Sequence, residues 1–438
     1  MTALESSLLE SLRPWLAAPA WHVALSGGLD SSVLLYLLAR LRERETLPPL
    51  SAIHVHHGLQ DVADGWPAHC QALCEQLGVP LHIERVQVDG AASLERAARE
   101  ARYAAFARRL GEGELLLTGQ HRDDQAETLL LRLLRGAGVR GLGGMPPSRR
   151  LGAGWLVRPL LKVARAELEC YARHQGLSWV EDPSNADTRL ARNFLRREVL
   201  PALARHWPQA AANLARSAEH LRAAEQLLGE LAELDLLVAR GEGPFAWLGL
   251  PSLALAPLLP LSEQRQRNAL RHWLAPLTLL PDTEHWAGWH ALRDAGVDAV
   301  PLWRLAGGEL RRADGRLWWL SGEWLRQPPL LAAWGEPTQP LQLPGNGVVQ
   351  LTGTLPAGPL RLAYRAGGEV MALPGRGHRD LKRLLNERAV PAFVRGRLPL
   401  LYRDDELLAV ANLPGLDGSQ HGAWQLHWRP PTSAQGLS

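Results

Sequence analysis

Leu25-Ser26-Gly27-Gly28-Leu29-Asp30-Ser31-Ser32 is the octet that decides the fold of this chain. It follows an apolar run over residues 22–25, short enough for a buried strand, and opens an apolar helical pattern that continues to Leu38. Glycine lets the backbone approach an anion closely, and a helix N-terminus offers N–H groups and the positive end of the helix dipole. We therefore expect a phosphate here, with Asp30 placed to share a Mg²⁺ ion with it. A plain strand-to-helix turn capped by serine is the alternative.

Strand-like and helical patterns alternate outward from this octet through the first half of the chain. Apolar β-type runs occupy residues 50–55, 81–88 and 114–118. Helical patterns lie between and after them, over residues 66–77, 93–110 and 124–135. Such alternation is typical of βαβ units, in which helices cover both faces of a parallel sheet. The sequence therefore predicts an α/β fold with a Rossmann-like parallel sheet.

The rest of the chain shows other patterns, which predict further domains. From residue 201 to 238 the apolar periodicity is purely helical, and Pro-rich and Trp-rich segments follow to about Trp334. Beyond a Pro/Gly stretch, short strand-like runs surround a basic segment. We expect four parts: a catalytic α/β domain over 1–205, a helical linker over 206–240, a helical middle domain over 241–338 and a small, basic α+β C-terminal domain over 339–438.

Composition narrows the class of protein. Of the 438 residues, 46% are hydrophobic and 21% are charged, which is enough apolar material for real cores and excludes wholesale disorder. Three cysteines are too few for a disulfide framework, and no second Cys/His pair completes a zinc site. Glu5 and Glu10 stand where a signal peptide is basic, and no apolar run is long enough to span a bilayer. We expect a soluble, cytoplasmic protein without a membrane partner.

A second polar cluster, Thr118-Gly-Gln-His121-Arg-Asp-Asp124-Gln-Ala-Glu127-Thr128, follows the strand expected at 114–118. It should lie at the carboxyl edge of the sheet, where open α/β folds bind ligands. Asp124 and Glu127 stand three residues apart on one helix face. With Asp30 and His121 they could hold Mg²⁺ or act as acid–base groups. An acidic helix N-terminus that serves only its own dipole is the alternative.

Three histidines, His54, His56 and His57, end the strand expected at 50–55. Strand alternation places His57 opposite the other two, so we favour a loop with backbone contacts to adenine over a zinc site.

Two helical stretches carry arginines in a suggestive pattern. Arg99 and Arg102 stand three residues apart, and Arg192, Asn193 and Arg196 follow an acidic turn and share roughly one helix face. Guanidinium groups suit phosphate or carboxylate, and an asparagine amide can bond a base edge. Solvated helix faces are the alternative for both stretches.

Other enzyme motifs are missing or misplaced. A G-x-G-x-x-G pattern at 136–141 follows an apolar helix rather than a strand, which argues against a dinucleotide site. We interpret residues 135–145 as a mobile Gly-rich loop near the active site. Neither G-x-x-x-x-G-K-[ST] nor G-x-S-x-G occurs, which disfavours Walker-type kinases and GTPases and α/β-hydrolases.

The C-terminal part contains a local concentration of positive charge. Between Arg361 and Arg403 there are ten Arg and Lys residues against three acidic ones, a net charge of +7 in a chain whose total is +3. Basic residues concentrated on a helix are typical of surfaces that bind a phosphodiester backbone. A solvated basic face is the alternative.

The octet resembles the PP-loop of the ATP pyrophosphatase superfamily, whose members cleave ATP to AMP and pyrophosphate. Within that superfamily, the chain resembles the tRNA(Ile)-lysidine synthetases. The N-terminal motifs that carry this resemblance are SGGLDSS, AIHVHHGL, GQHRDDQAET, RGAGVRGLGGM and EDPSNADTRLARNFLR. The C-terminal basic segment is similar as well, whereas residues 251–334 match only loosely and Gln120-His121 stands where the family often has His-His.

The resemblance implies a ligase that joins free L-lysine to C2 of the wobble cytidine of the isoleucine tRNA with a CAU anticodon. The reaction would proceed through an adenylated base and use ATP and Mg²⁺. The sequence leaves the oligomeric state open, with a homodimer as one option. Two other functions also remain open: a PP-loop tRNA sulfurtransferase, although no C-x-x-C pair occurs, and a non-catalytic RNA-binding protein that retains a nucleotide fold.

The site residues implied in this way fall into three groups. The expected nucleotide contacts are Ser26, Gly27, Gly28, Leu29, Asp30, Ser31, Ser32, His54 and His121. The expected catalytic groups are Asp30, Asp124 and Glu127, which are also the expected metal ligands, with Arg99, Arg102 and Arg192. The expected RNA contacts are Asn193, Arg196, Arg376, Arg379, Lys382, Arg383 and Arg388.

Overall fold

The computed structural model describes residues 1–56, 58, 64–87, 94–281, 284–296, 299–329 and 334–432. The chain divides into two compact units, Met1–Gln226 and Leu227–Ser438. His57, one of the three clustered histidines, lies outside the described residues.

A six-stranded sheet forms the centre of the first unit. Its strands are β1 Trp21–Ala24, β2 Leu50–His56, β3 Leu81–Arg85, β4 Leu115–Leu117, β5 Ser148–Leu151 and β6 Gly154–Val157. They lie in the order β3-β2-β1-β4-β6-β5, and all neighbours are parallel except the hairpin of β5 and β6. The predicted α/β fold with a parallel sheet is confirmed.

Helices cover both faces of this sheet. The helices up to residue 239 are α1 Ala3–Leu12, α2 Leu29–Leu41, α3 Trp66–Gln76, α4 Leu94–Arg109, α5 Arg122–Leu133, α6 Val139–Leu142, α7 Arg165–His174, α8 Ala191–Phe194, α9 Leu200–His206 and α10 Ala210–Ala239. Five of them pack on the sheet. On one face, the apolar side chains of α1, α2, α3 and α7 share a core with β1 and β4. On the other face, Phe106 of α4 packs in a second core with Ile53 and Leu116.

The strand order brings the two polar motifs together. From β1 the chain continues to β2 on one side, whereas β4 flanks β1 on the other side. Ligands of open α/β sheets bind where the strand order reverses in this way, at the carboxyl ends of the strands. The octet follows β1 and the second polar cluster follows β4, so both motifs reach this point of the sheet edge.

The middle region of the second unit differs from the expected helical domain. Helices α11 Glu263–Leu274 and α12 Ala287–Asp294 are there, but they accompany an antiparallel sheet in the order β7-β10-β9-β8. Its strands are β7 Ser252–Ala254, β8 Leu302–Leu305, β9 Gly308–Ala313 and β10 Arg316–Ser321. All six residues of β10 are buried, with Trp318 and Trp319 in different cores. A strand buried on both faces shows no alternation, so its pattern does not distinguish it from a buried helix.

The C-terminal region is α+β, as expected. Its strands are β11 Leu341–Leu343, β12 Gly347–Gly353, β13 Leu360–Ala363, β14 Val370–Leu373, β15 Gly377–Asp380, β16 Leu400–Arg403, β17 Glu406–Val410 and β18 Trp424–Arg429. They form a three-stranded sheet, β11-β12-β18, and a five-stranded sheet, β13-β16-β17-β14-β15. Two short helices, α13 Leu381–Glu387 and α14 Ala392–Arg395, complete the region. Across the described parts of the whole chain, no helix is long and apolar enough to cross a membrane.

Candidate active site

The octet forms a turn whose hydroxyl groups bond to its own backbone. Gly27 has a φ of +85°, and the Ser26 and Ser31 hydroxyl oxygens lie 3.0 Å apart. The Gly28 N–H donates to the Ser26 hydroxyl at 3.3 Å, and the Ser31 hydroxyl donates to the Gly28 carbonyl at 3.1 Å. Helix α2 begins with Gly28 as its N-cap and without a side-chain cap, so the capped-turn alternative does not hold. Its first N–H groups are therefore available to an anion.

The turn rests on side chains from α3 and β2. A Cβ atom added at Gly27 would lie 3.2 Å from the Cys70 sulfur, and the Val180 N–H donates to the Gly27 carbonyl at 2.9 Å. His54 is buried, with Nδ1 2.8 Å from the Leu25 carbonyl and 3.5 Å from that sulfur. Burial raises the pKa of the Cys70 thiol to about 12, so this sulfur is an inert packing group. His54 supports the loop from beneath, and its predicted nucleotide contact stays a prediction.

The loop after β4 packs directly on the first turn of α2. A Cβ atom at Gly119 would lie 2.8 Å from the Asp30 carbonyl carbon and 3.0 Å from the Ser31 nitrogen. Real Cβ atoms do not approach backbone this closely, so position 119 requires glycine.

This contact yields a prediction for Gly119→Ala. The added methyl must displace the first turn of α2, whose N–H groups are the expected phosphate contacts, so we expect the KM for ATP to rise about tenfold. Gly138→Ala is the matched control, because a Cβ atom there meets nothing within 4 Å. Steady-state kinetics with varied ATP would measure both variants. Equal KM values for the two variants would contradict the packing argument.

His121 lies at the centre of three carboxylates. Its Nε2 lies 3.6 Å from Asp30 Oδ2 and 3.5 Å from Asp124 Oδ2, and its Nδ1 lies 3.6 Å from Asp123 Oδ2. These distances are those of ion pairs rather than of good hydrogen bonds. Burial by itself lowers the pKa of His121, but its contacts with Asp123 and Asp30 and the charge of Asp124 outweigh burial and raise the pKa to about 10. His121 is therefore a fixed positive charge between the two motifs.

Asp124 and Glu127 form a second charged group with two arginines from the segment after α7. Arg192 Nε donates to Glu127 Oε2 at 2.6 Å, and Arg196 Nε donates to Glu127 Oε1 at 2.6 Å. Both guanidinium groups also donate to Asp124 Oδ1, at 2.9 and 3.0 Å. The other Asp124 oxygen, Oδ2, accepts a hydrogen bond from the backbone N–H of His121 at 3.0 Å. Every oxygen of these two carboxylates is thus engaged by a protein donor.

This arrangement does not fit the predicted three-carboxylate metal site. Within the described residues, no group of three or more His, Cys, Asp and Glu side chains is placed to hold a metal ion. Asp30 differs from Asp124 and Glu127, because its buried Oδ1 has no hydrogen-bond partner among the described atoms. Mg²⁺ usually binds through one or two carboxylates, substrate phosphates and water. Asp30 fits such a ligand role, and Asp124 and Glu127 do not.

Asn193 has a different task from the predicted RNA contact. Its side-chain amide is buried and donates to the Ser184 and Asp187 carbonyls at 2.9 and 3.0 Å. It therefore fixes the acidic turn at 182–187 to α8 and is not presented to a base. Arg196, the other predicted RNA contact in this segment, is held by Glu127.

The Gly-rich segment at 135–145 is fastened rather than loose. Gln125 exchanges two hydrogen bonds of 2.7 Å with the Met145 backbone. Arg132 donates to the Gly141 and Gly144 carbonyls, and Arg222 of α10 donates to the Gly143 and Met145 carbonyls. The glycines of this segment predict a mobile loop, whereas these hydrogen bonds hold its backbone at residues 141–145. The side chains that hold it, those of Gln125, Arg132 and Arg222, lie outside the segment, so the composition of the segment does not predict these bonds.

Arg99 and Arg102 lie on α4 beside Tyr103, which is not among the predicted site residues. Arg158, directly after β6, joins them and is 5% exposed. The stretch Arg158-Pro-Leu-Leu, which also resembles the family, is a sequence signal that could have found it.

The predicted RNA contacts of the C-terminal region lie on one hairpin and the helix that follows it. Arg376 is in the turn between β14 and β15, Arg379 is in the exposed edge strand β15, and Lys382 and Arg383 are exposed on α13. Arg383 pairs with Glu387 at 3.0 Å. Arg376, Arg379, Lys382 and Arg388 form no ion pair with any described residue. By contrast, Arg397 is buried and bonded to Asn346, so its charge is not offered to a partner.

Comparisons with known proteins agree with this geometry. Residues 1–203 match the family described as a PP-loop domain, residues 253–318 match the TilS substrate binding domain, and residues 360–428 match the TilS substrate C-terminal domain. The fold and the match over residues 1–203 together define a PP-loop protein, a class whose members use ATP.

Relatives that match over nearly the whole chain identify the family within this class. The tRNA(Ile)-lysidine synthase of Pseudomonas fluorescens (strain Pf0-1) is 64% identical over 99% of this chain and 98% of the relative. The synthase of the same name from Pseudomonas aeruginosa is 63% identical over 99% of both chains, and that of Shigella flexneri is 40% identical over 89% of this chain and 91% of the relative. The chain belongs to the tRNA(Ile)-lysidine synthase family, whose members are ligases.

Proposed function

We propose that this chain ligates free L-lysine to C2 of the wobble cytidine in the isoleucine tRNA with a CAU anticodon, using ATP and releasing AMP and pyrophosphate. The full-length family match carries the proposal. The proposal places the enzyme in the cytoplasm, where ATP, lysine and tRNA are available. A homodimer has no support from the described chain and is not part of the proposal.

The reaction needs two activations, which the residues of the sheet edge can supply. The C2 oxygen of cytosine is a poor leaving group until ATP adenylates it, and the lysine amine attacks only in its neutral form. The N–H groups at the start of α2, with the Ser26 and Ser31 hydroxyls nearby, bind the phosphates. The Ser32 hydroxyl is buried without a partner among the described residues, which suits a further phosphate contact.

Asp30 is the residue that would hold Mg²⁺. A bound Mg²⁺ ion neutralises phosphate charge and favours the departure of pyrophosphate. His121 lies against this carboxylate, with its Nε2 3.6 Å from Asp30 Oδ2. Arg192 and Arg196, fixed by Asp124 and Glu127, present their remaining N–H groups toward the same edge, where they can orient nucleotide or RNA.

The two alternative functions are less well supported. Sulfur transfer in this class uses a pair of reactive cysteines. Cys70 and Cys74, which are near each other in sequence, are buried, and burial raises their pKa values to about 12 and about 11. Cys170 is exposed, but it has no second cysteine near it in sequence. An inert RNA-binding protein has no need to keep acidic groups together. Here Asp30 and Asp124 both lie within 3.6 Å of His121, which favours a catalytic edge.

The experiment that tests the function uses purified protein, ATP and tRNA transcripts, followed by mass analysis of the nucleosides. We expect AMP release and a lysine-bearing cytidine only when free lysine is present. A sulfur donor should not replace lysine. A sulfur-bearing nucleoside would instead establish the sulfurtransferase, and no modified nucleoside at all would favour the RNA-binding protein.

A further prediction concerns the exposed basic hairpin and helix. Removing charge at Arg379, Lys382 and Arg383 should weaken tRNA binding and flatten its salt dependence, because these side chains can reach consecutive phosphates. Each phosphate contact contributes about 0.7–0.9 to the slope of log affinity against log salt, so the slope should change by roughly 2–3. ATP binding should stay unchanged. Titrations of tRNA at several salt concentrations would measure the slope, and an unchanged slope with a lower melting temperature would show a purely structural role.

A further inference from the structure

A cleft of about 490 Å³ lies in the second unit, on the exposed face of the sheet β11-β12-β18. Two neighbouring strands supply one wall, where Val348 is paired with Arg429 and Gln350 is paired with His427 in the register of β12 and β18. Ligand sites usually enclose about 300–1,000 Å³, so the cleft has room for a small organic ligand. We refer to it as the β12–β18 cleft. Its lining includes Trp247, Val348, Gln350, Asp417, His427 and Arg429.

The β12–β18 cleft combines an aromatic ring with polar side chains that have no partner of their own. Trp247, from the segment between α10 and β7, is half-buried, and its ring centre lies 5.8 Å from that of Trp428. Gln350 and Arg429 are exposed, and neither side chain forms a hydrogen bond or an ion pair with any described residue. An aromatic ring stacks with a nucleobase, an amide bonds to the edge of a base, and a guanidinium group binds phosphate.

Asp417, in the loop after β17, adds a buried negative charge to the cleft. It is 5% exposed and forms no ion pair with any described residue. Its Oδ1 accepts the backbone N–H and the hydroxyl of Ser419, at 3.2 and 2.5 Å, and its Oδ2 accepts the Gln425 amide at 3.2 Å. A carboxylate oxygen can accept more than one hydrogen bond, so Oδ2 has capacity left for a donor from a ligand. The exocyclic amino group of adenine or cytosine is such a donor.

The wall of the cleft is fixed before any ligand binds. Asn412, which also lines it, has a φ of +59°, an uncommon conformation for a residue other than glycine. Its side-chain amide donates to the Trp428 carbonyl at 2.5 Å and accepts the Trp428 N–H at 2.8 Å. The Trp428 ring N–H donates to the Asn346 carbonyl at 2.7 Å. A wall held in this way does not have to be ordered by the ligand, which favours binding.

We propose that the β12–β18 cleft binds a nucleotide, with its base against Trp247, its exocyclic amino group on Asp417 and its phosphate on Arg429. A free mononucleotide and an unpaired nucleotide of an RNA carry the same three groups, whereas a base within a duplex has both faces covered by its neighbours. The inference concerns the second unit alone and goes beyond the proposed function, whose ATP binds at the start of α2 in the first unit.

Equilibrium dialysis of labelled AMP against the full-length protein tests the site by counting bound molecules. The double variant Gln350→Ala/Arg429→Gln removes two exposed side chains, so its melting temperature should stay unchanged. Loss of a charged and a neutral hydrogen bond should raise the Kd of the cleft about 100-fold. Gln342→Ala is the matched control, because Gln342 is exposed in β11 of the same sheet and does not line the cleft.

We expect two molecules of AMP per chain in the wild type and in the control, and one in the double variant. If the first unit bound no AMP, the counts would be one and zero, so a failure of the proposed function would leave the difference intact. Equal counts in the wild type and the double variant would overturn the proposal.

Inosine 5′-monophosphate tests the role of Asp417, because it is AMP with an oxygen in place of the amino group. The Kd of the cleft is obtained from the difference between the wild type and the double variant. We expect AMP to bind about tenfold more tightly than inosine monophosphate, because the latter leaves the carboxylate facing an acceptor. The preference should disappear in Asp417→Asn. Equal affinities for the two nucleotides in the wild type would refute the contact with Asp417.

Single-stranded hexa-adenylate, compared with AMP, identifies the source of the nucleotide. A Kd at least about tenfold lower than that of AMP, and lost in the double variant, would show that the cleft takes an unpaired nucleotide of RNA. Equal affinities for both probes, lost in the same variant, would show that it takes a free mononucleotide. Binding of both probes that is unchanged in the double variant would overturn the proposal for either source.

Discussion

Replacing Asp30 with alanine or asparagine should reduce AMP formation by about 1,000-fold or more while leaving the protein folded. The Asp30 Oδ1 atom is buried without a hydrogen-bond partner among the described residues, and its other oxygen faces His121. A carboxylate in this position supplies negative charge for a cation on the phosphates and contributes little to packing. Removing one group that stabilises charge in a transition state costs about 100- to 1,000-fold in rate, and loss of the metal should cost more.

Asp30→Asn keeps the shape of the side chain and isolates the effect of charge. The assay follows AMP and pyrophosphate release at increasing Mg²⁺ concentrations, with thermal melting as the readout of folding. Glu10→Gln is a matched control, because it removes a carboxylate whose side chain is 71% exposed, in an ion pair of α1. Near-wild-type AMP formation by the Asp30 variants would remove the basis for a metal at this residue.

Glu127→Gln should lower kcat/KM by about 100- to 1,000-fold through the two arginines that Glu127 holds. The two carboxylate oxygens of Glu127 each accept from one arginine, whereas a glutamine amide has only one accepting oxygen. Arg192 and Arg196 therefore lose their fixed positions. Misplacement of groups that orient a substrate by about 1 Å can cost about 100-fold in rate. The Glu127 side chain is 1% exposed, so its charge is desolvated in the folded state.

The same variant should also be less stable. Breaking a fully buried ion pair costs about 3–5 kcal/mol, but the two guanidinium groups are 36% and 31% exposed, so solvent reduces the cost to about 1–3 kcal/mol. We expect a melting temperature lower by several degrees. Glu225→Gln provides the control, because Glu225 pairs with Arg140 at 4.0 Å on an exposed surface.

A Mg²⁺ titration separates this positioning role from the metal-ligand role expected from the sequence. If Glu127 positions arginines, the Mg²⁺ concentration that gives half-maximal activity stays the same in Glu127→Gln. A strong rise in that concentration, with an unchanged melting temperature, would restore Glu127 as a metal ligand.

The sequence by itself determined the class of fold and the place of the site. Glycines between a strand and a helix let the backbone approach an anion at the helix N-terminus, so the octet predicted a phosphate-binding turn. Because parallel strands end at one edge of the sheet, the octet and the residues after β4 were expected to meet, and Asp30, His121 and Asp124 lie together there. Apolar periodicity did not predict the antiparallel sheet of the middle region. Its strand β10 is buried on both faces, so its sequence lacks the alternation of apolar and polar residues that identifies a strand.

The tertiary structure decided which partner each charged residue has. Asp124 and Glu127 stand three apart on a helix, a spacing that suits a metal, an acid–base pair or a salt bridge equally. Only the fold brings Arg192 and Arg196 to them, across more than sixty positions of sequence. Arg158 reaches Tyr103 in the same way, from another strand of the sheet. Electrostatic energy depends on distances between side chains and on their exclusion from water, and neither quantity is a property of local sequence.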